Sequence, residues 1–340
     1  MFKINENTII YVVCPYYNKT GGTELAHQLV YTINKFGGNA IIAYYGESNV
    51  EKKINPAFEI YVNSFVDICD IHDNEENIIV LPEIKPDLAQ NMNKIQKCIW
   101  WMSVDNYLKQ DGITGFLKYY GLLRTIRHIL LGHVKLGGFK IDKDAIHLYQ
   151  SEYAHQFLNK RKITKMYKLS DYINLEYVND YVDEFDSKSR KNQVLYNPKK
   201  GFEFTKELIN YSNDLKWIPI QNMTTQEVHE LLKESKVYID FGNHPGKDRF
   251  PREAAISGCC IITGKKGSAA YYDDVPIADC YKFDDSNENI PHIVNKIKEC
   301  MEKYDTKIYD FSYYREFILN EYEIFEKDVQ ELFISSDGGK

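Results

Sequence analysis

Several common features are missing from this sequence, and each absence removes a class of function. No window approaches 18 consecutive apolar residues, so nothing reads as a membrane span. The amino-terminal stretch "MFKINENTIIYVVCPYYNKTGG" has too short an apolar core, followed by Pro and polar residues, to act as a signal peptide. Seven cysteines, at 14, 69, 98, 259, 260, 280 and 300, form no C-x-x-C pair and no metal-ligand spacing. Their odd number suits a reducing cytoplasm, the expected location, better than a disulfide scaffold. Neither G-x-G-x-x-G nor G-x-x-x-x-G-K-[ST] occurs, which argues against nicotinamide-dependent and P-loop chemistry. No D-x-D motif stands beside a plausible sugar-binding strand, and "DICDIHD" (67–73) reads as a loop; no obligatory metal and no cofactor are expected. Excess positive charge is also lacking: 42 Lys and Arg against 49 Asp and Glu leave a net charge of −7, a poor match for wholesale nucleic-acid binding.

What is present is an alternation of short buried runs and amphipathic segments. In 340 residues, 44% of them hydrophobic, there is room for two cores of roughly 150 to 180 residues each. "TIIYVVC" (8–14), a Pro/Tyr/Asn/Gly loop, the helical spacing of "TELAHQLVYTINKFG" (23–37) and "NAIIAYYG" (39–46) make a βαβ unit with a parallel pairing. Further strands are expected at 58–62, 77–83, 97–103 and 145–151. A charged stretch, 179–192, suits a linker or an exposed loop. The alternation then restarts with strands at 193–197, 215–220, 236–242 and 259–264, and helices at about 202–211, at 224–235 and from near Arg252. The expected fold class is α/β, with two Rossmann-like domains facing across a cleft: 1–180, 190–310, and a carboxyl-terminal helix, 311–340, packing back on the first.

In such sheets ligands bind beyond the carboxyl ends of the strands. Gly21 and Gly22 lie there, ahead of Thr23 and Glu24, where helix N–H groups face an anion or simply make a tight capped turn. Lys199, Lys200 and Gly201 follow the strand at 193–197 and suit a diphosphate, or else are a solvated lysine pair. The run "VYIDFGNHPGKDRFPREAAISGCCIITGKKGSAAYY" (237–272) is the densest concentration of polar groups at strand ends. His244, Lys247 and Arg249 sit in its first turn, and Glu253 either caps a helix or accepts hydrogen bonds from a ribose diol. Gly264, Gly267 and Ser268 return to the same end of the sheet.

These residues resemble the GT-B glycosyltransferases, especially the large retaining group called family 4 or group 1. The resemblance rests on Gly21-Gly22-Thr23-Glu24 for a "G-G-x-E" turn, Lys200-Gly201 for a "K-G" phosphate contact, and "PREAAISGCCIIT" (251–263) for the donor signature. It covers most of the second half and the first 45 residues, and is weak between about 47 and 190. It implies that Gly22 faces the donor phosphates, Lys200 neutralises the diphosphate and Glu253 holds the ribose of a nucleotide sugar, with His244, Lys247 and Arg249 supplying an altered donor loop. The Pro-to-Glu spacing of the signature is one residue short, and Pro245 stands where the group carries a second carboxylate, eight residues before the ribose-binding Glu. Rival readings are a nucleotide-sugar epimerase of the same shape and a non-catalytic sugar- or nucleotide-binding module.

On the acceptor side, "WWMSVDNY" (100–107) offers aromatics for a sugar wall or for core. Asp105 and His133 are candidate general bases, and His244 in the donor loop is a third candidate catalytic residue. The span 114–140 has five Lys/Arg, two His and no Asp or Glu, interleaved with large apolar residues. It reads as an amphipathic basic helix for an anionic membrane surface beside a lipid-linked acceptor, or as a helix packed between domains. The expected partners are therefore a nucleotide sugar and a saccharide or lipid-linked acceptor, with no nucleic acid. The expected setting is surface-polysaccharide assembly on the inner face of the membrane.

Overall fold

A computed structural model describes residues 1–16, 18–46, 53–132, 141–182 and 184–334. The chain divides into two compact units, one of residues 1–150, 154–171 and 323–340, the other of 151–153 and 172–322.

The first unit is built on seven parallel strands: β1 (Ile10–Pro15), β2 (Ala40–Tyr45), β3 (Phe65–Asp67), β4 (Ile78–Pro82), β5 (Gln96–Trp101), β6 (Ile146–Tyr149) and β7 (Met166–Lys168). Their order is β3-β2-β1-β4-β5-β6-β7, so the chain winds outward from β1 in one direction and resumes on its other side with β4. Helix α1 (Gly21–Lys35) is the crossover of the opening βαβ unit. A capping box starts it: the Thr20 hydroxyl accepts the Thr23 N–H, and Thr23 returns a bond to the Thr20 backbone. Helices α2 (Val104–Gln110), α3 (Gly112–Leu130) and α4 (Glu152–Lys160) follow β5 and β6. One expected strand is absent. Residues 58–62 end a 3₁₀ turn, Pro56–Phe58, capped by Asn55, and Ile60 is 72% exposed; the strand lies further on, at β3.

The second unit begins with α5 (Leu175–Asn179) and carries four parallel strands, β8 (Lys191–Tyr196), β9 (Trp217–Pro219), β10 (Ser235–Asp240) and β11 (Cys260–Thr263), ordered β11-β10-β8-β9. Between and after them run α6 (Phe202–Tyr211), α7 (Thr225–Lys233), α8 (Arg249–Ile256), α9 (Ile290–Glu302), α10 (Tyr304–Lys307) and α11 (Ser312–Leu319). "TTQE" makes a second capping box, Thr224 with Glu227, at the head of α7. Strand β10 is buried at every position, its polar Ser235, Lys236 and Asp240 included, with the apolar run Val237–Ile239 between them. The last helix, α12 (Glu321–Phe333), belongs almost wholly to the first unit. There Phe333 stacks on Phe2, and the Asp328 carboxylate accepts the Ser170 N–H at 2.9 Å.

Candidate functional site

Each sheet has one place where strand order reverses, and the polar residues of interest gather at those two places. In the second unit the reversal lies between β8 and β10. The turn after β8 carries Lys199, Lys200 and Gly201; the loop after β10 carries residues 241–248. The two loops cross at backbone contact. Gly201 has φ +60°, and a Cβ there would lie 2.1 Å from the Phe241 carbonyl oxygen, so only glycine fits.

Lys199 is exposed. Lys200 turns inward, and its ammonium meets three acceptors: Asp240 Oδ1 at 2.8 Å, Asp248 Oδ2 at 2.5 Å and His244 Nδ1 at 3.1 Å. Burial would lower the ammonium's pKa, but the two carboxylates outweigh it and raise it above the ordinary lysine value. Burial would likewise raise Asp248; Lys200 and His244 overcome that and hold its carboxyl down at about 2. Asp240 ends β10, is 3% exposed, and accepts the Tyr238 hydroxyl at 3.1 Å. Among the described residues, Asp240, His244 and Asp248 have ligand atoms close enough together to suit a cation, and the cation they hold is the Lys200 ammonium.

Several residues expected to face a donor are built into the scaffold of this loop. His244 is fully buried, with Nδ1 2.8 Å from Asp248 Oδ2 and Nε2 3.2 Å from the Asp240 carbonyl oxygen. Its placement is that of a strut under Lys200, where the sequence suggested a catalytic group. Gly267 has φ +61° and packs so tightly on His244 that a Cβ would fall 1.9 Å from that residue's carbonyl oxygen. The Ser268 N–H donates to the same oxygen at 2.9 Å, and its hydroxyl to the Gly246 carbonyl at 2.5 Å, so both Ser268 donors clamp the loop. Lys247 points away into an ion pair with Glu321 at 2.7 Å, over the Phe317 ring.

Helix α8 begins at Arg249, three residues before the expected start, because Asp248 adopts the extended N-cap conformation. Pro251 falls in the first turn, where its missing N–H leaves no helix bond unmade. Glu253 therefore sits in the second turn, half-buried, beyond the first-turn position that sequence reasoning gave it, and its charge acts on the hydroxyls of Tyr177 and Tyr238. Arg249 is the first helical residue, partly exposed beside the loop.

The reversal in the first unit lies between β1 and β4. Gly21 and Gly22 open α1 there as its first two helical residues, and a Cβ on Gly22 would reach Met102 Sδ at 3.8 Å, an ordinary contact. Both tryptophans of "WWMSVDNY" are core: Trp100 and Trp101 are each 1% exposed, and the Trp101 indole N–H donates to His147 Nδ1 at 2.9 Å. Asp105 stands in the first turn of α2, capped by Ser103. It is 5% exposed and hydrogen-bonded by the Tyr119 hydroxyl of α3. His133 lies outside the described residues.

Sequence reasoning missed Glu83, directly after β4. Its carboxyl is 3% exposed and accepts the Met102 N–H at 3.3 Å, and burial pushes its pKa up to about 8 against the pull of the neighbouring backbone N–H groups. It ties the ends of β4 and β5 together. The signal was an acid straight after the buried run "IIVLP". Asp240, an acid ending the buried run "VYID", is the same signal in the second unit.

No protein-family profile matches the chain. A curated relative, an alpha-1,6-glucosyltransferase of Actinobacillus pleuropneumoniae serotype 7 (strain AP76), is 25% identical over 276 residues, 76% of this chain and 73% of its own. The structure of Anabaena HepE in complex with UDP-glucose superposes over 95% of this chain and 98% of its own, with a TM-score of 0.61 and 10% identity. The fold is GT-B. A structure of TarM matches 78% of this chain at a TM-score of 0.53 and 14% identity, and the chain spans 56% of its length. In a GT-B protein the two strand-order reversals described above are where substrates are expected to lie, which gives the Lys200 cluster and the Glu83–Gly22 edge their interest.

Proposed function

We propose that the protein is a glycosyltransferase that moves a sugar from a nucleotide-sugar donor to a saccharide or lipid-linked saccharide. The observation that carries this reading is the turn after β8: a lysine and a left-handed glycine at the reversal point of the second sheet, with a helix starting at Phe202. Lys200 would neutralise the diphosphate, Glu253 would bind the ribose, and Arg249 would stand beside the phosphates at the head of α8. A nucleoside diphosphate leaves as an anion, so fixed positive charge at that point lowers the barrier. Asp105, in the first turn of α2 of the first unit, is the candidate base or acceptor ligand. The glucosyltransferase relative and HepE, crystallised with UDP-glucose, make UDP-glucose the first donor to try.

The test is a thermal-shift panel of UDP, GDP, CMP, dTDP and their sugars, with NAD and ATP as controls. A ligand at a hundred times its dissociation constant stabilises by about 2.7 kcal/mol, a shift of about 5–10 °C for units of this size. One nucleotide family should shift the wild type, and Glu253→Ala should lose the shift while keeping its own melting temperature. If no nucleotide sugar shifts the wild type, the donor reading fails.

Peripheral contact with an anionic membrane is part of the proposal. Among the described residues no helix is long and apolar enough to cross a membrane. Helix α3, however, kinks at Gly121 (φ 75°), and its second half leaves Leu122, Leu123, Ile126 and Leu130 exposed, Leu123 by 84% and Leu130 by 81%, among Arg124 and Arg127. Apolar side chains flanked by cations and free of acids suit an anionic lipid surface. Wild-type protein should sediment with phosphatidylglycerol vesicles and not with phosphatidylcholine. Leu123→Asp/Leu130→Asp should stay in the supernatant with its donor shift intact; equal sedimentation of the two proteins would refute the contact.

A further inference from the structure

The exposed apolar side chains of the two units differ in kind. On the second half of α3 they are leucine and isoleucine. In the second unit, among the described residues, no Leu or Ile is exposed, and tyrosine predominates: Tyr211, Tyr272, Tyr309 and Tyr313. Two of these meet. The rings of Tyr272 and Tyr313 lie 6.3 Å apart between centroids and 13° from parallel, with the two residues 56% and 57% exposed. Tyr309, four positions before Tyr313, is exposed as well.

Fixed backbone from two elements presents the pair. Tyr272 follows a 3₁₀ turn, Gly267–Ala270. Beside it, the Tyr271 N–H donates to the Ser268 carbonyl at 3.0 Å, the Tyr271 carbonyl accepts the Val275 N–H at 3.1 Å, and the Tyr271 ring stacks on Tyr153 at 6.1 Å. Tyr313 is the second residue of α11. Its neighbours Tyr314 and Arg315 are buried, and Arg315 Nη1 donates to the Ile308 carbonyl at 2.9 Å. Both elements also brace the donor loop, Ser268 through its bonds to His244 and Gly246, and α11 through Phe317, over whose ring Lys247 Nζ lies at 4.9 Å.

The chemistry of the patch selects its occupant. Tyrosine offers an apolar ring face with a polar tip, and, with two side-chain torsions, gives up little freedom on binding. That combination matches a pyranose, which carries C–H groups on its faces and hydroxyls around its rim; in the gluco configuration the ring hydroxyls are equatorial, so both faces are apolar. The exposed charged residues flanking the tyrosines in sequence, Asp273, Asp310 and Glu316, are acids, whereas Lys307 is paired with Glu299 at 3.0 Å and Arg315 is buried. Carboxylates accept hydrogen bonds from sugar hydroxyls and repel the phosphates of a lipid surface or a nucleic acid. In side-chain type and in sign of charge this patch is the opposite of α3.

We propose that Tyr272 and Tyr313 form a binding platform for a neutral, gluco-configured glycan chain, separate from the site of sugar transfer. Such a platform raises the effective concentration of a glycan at the protein without touching the reacting atoms. It stands independently of the donor-site reading.

The test is native electrophoresis of the full chain in gels cast with dextran, amylopectin or hydroxyethylcellulose, three soluble glucans of different linkage, against gels without polysaccharide. At least one glucan should slow the wild type. Tyr272→Ala/Tyr313→Ala should run in that gel as it does without polysaccharide, a weakening of at least about tenfold, while keeping the wild-type melting temperature and nucleotide-sugar shift. Tyr272→Phe/Tyr313→Phe keeps the rings and should keep most of the retardation. Equal retardation of the wild type and the alanine variant would put the glycan elsewhere and overturn the platform. No retardation by any of the three glucans would overturn it too, as would a wild-type dimer in gel filtration that the alanine variant loses, since the pair would then be a contact between copies. A wild type retarded through these tyrosines but shifted by no nucleotide sugar keeps the platform and overturns only the donor reading.

Discussion

Glu321→Gln is expected to lower the stability of the second unit by about 3–5 kcal/mol, the usual cost of removing one partner from a buried ion pair. Glu321 is 1% exposed and sits between two buried cations, with Oε1 2.7 Å from Lys247 Nζ and Oε2 2.8 Å from Arg252 Nη1. The amide keeps the shape and removes the charge, leaving Arg252 and Lys247 facing each other in a dry site. For a unit of this size the loss is a fall of about 10 °C in melting temperature, read by calorimetry. Replacing all three with apolar residues of similar volume should recover much of it, because the cost lies in the uncompensated charge. A fall of less than about 2 °C for Glu321→Gln would mean that the pair is solvated in solution. The consequence extends to the site, since Arg252 Nε and Nη2 hold the carbonyls of Asp248 and Lys247 and so fix the head of α8.

Lys200→Met should reduce kcat/KM for sugar transfer by about 10²–10³-fold, the range for removing one fixed donor aimed at developing anionic charge. Steady-state kinetics with the donor selected by the thermal panel gives the number. Lys199→Met is the natural control: that side chain is exposed, its backbone N–H is held by Asn197 Oδ1 at 3.0 Å, and its loss should change kcat/KM by less than about threefold. If the two variants behave alike, the lysine pair acts only as diffuse charge and the assignment of Lys200 to the diphosphate is wrong. Lys200→Met also leaves Asp240 and Asp248 without their cation. Its stability should therefore improve on acidification toward the carboxylate range, where the wild type, whose Asp248 is held at about 2, loses stability as pH falls through that value.

Particular elements show what was legible without a structure. The opening βαβ unit was, because β-branched runs and a 3.6-residue spacing separated by Gly and Pro are local signals. The head of α7 was as well, at Thr224, whereas α1 starts at Gly21 behind Thr20, two residues before the expected Thr23. Residues 58–62 misled for the same reason: their apolar content resembled a strand, while Pro56 behind a capping Asn55 fixed a turn. Helix α9 went unforeseen, although Pro291 in its first turn marks its start.

The candidate site divides in the same way. The sequence by itself determined two alternating α/β halves, the glycines that the loops require, and Lys200, Gly201 and Glu253 as a motif, because spacing along a chain encodes which residues share a strand end. Only the tertiary structure decided what those residues touch. Glu321 takes the charge of Arg252 from 69 positions away, Asp285 receives the Gly242 N–H, and Ser268 clamps His244. Charge partners within a buried cluster are chosen by the crossing of loops from different strands. That crossing turned Lys247, His244 and Ser268 from apparent donor ligands into the scaffold that holds Lys200 in place.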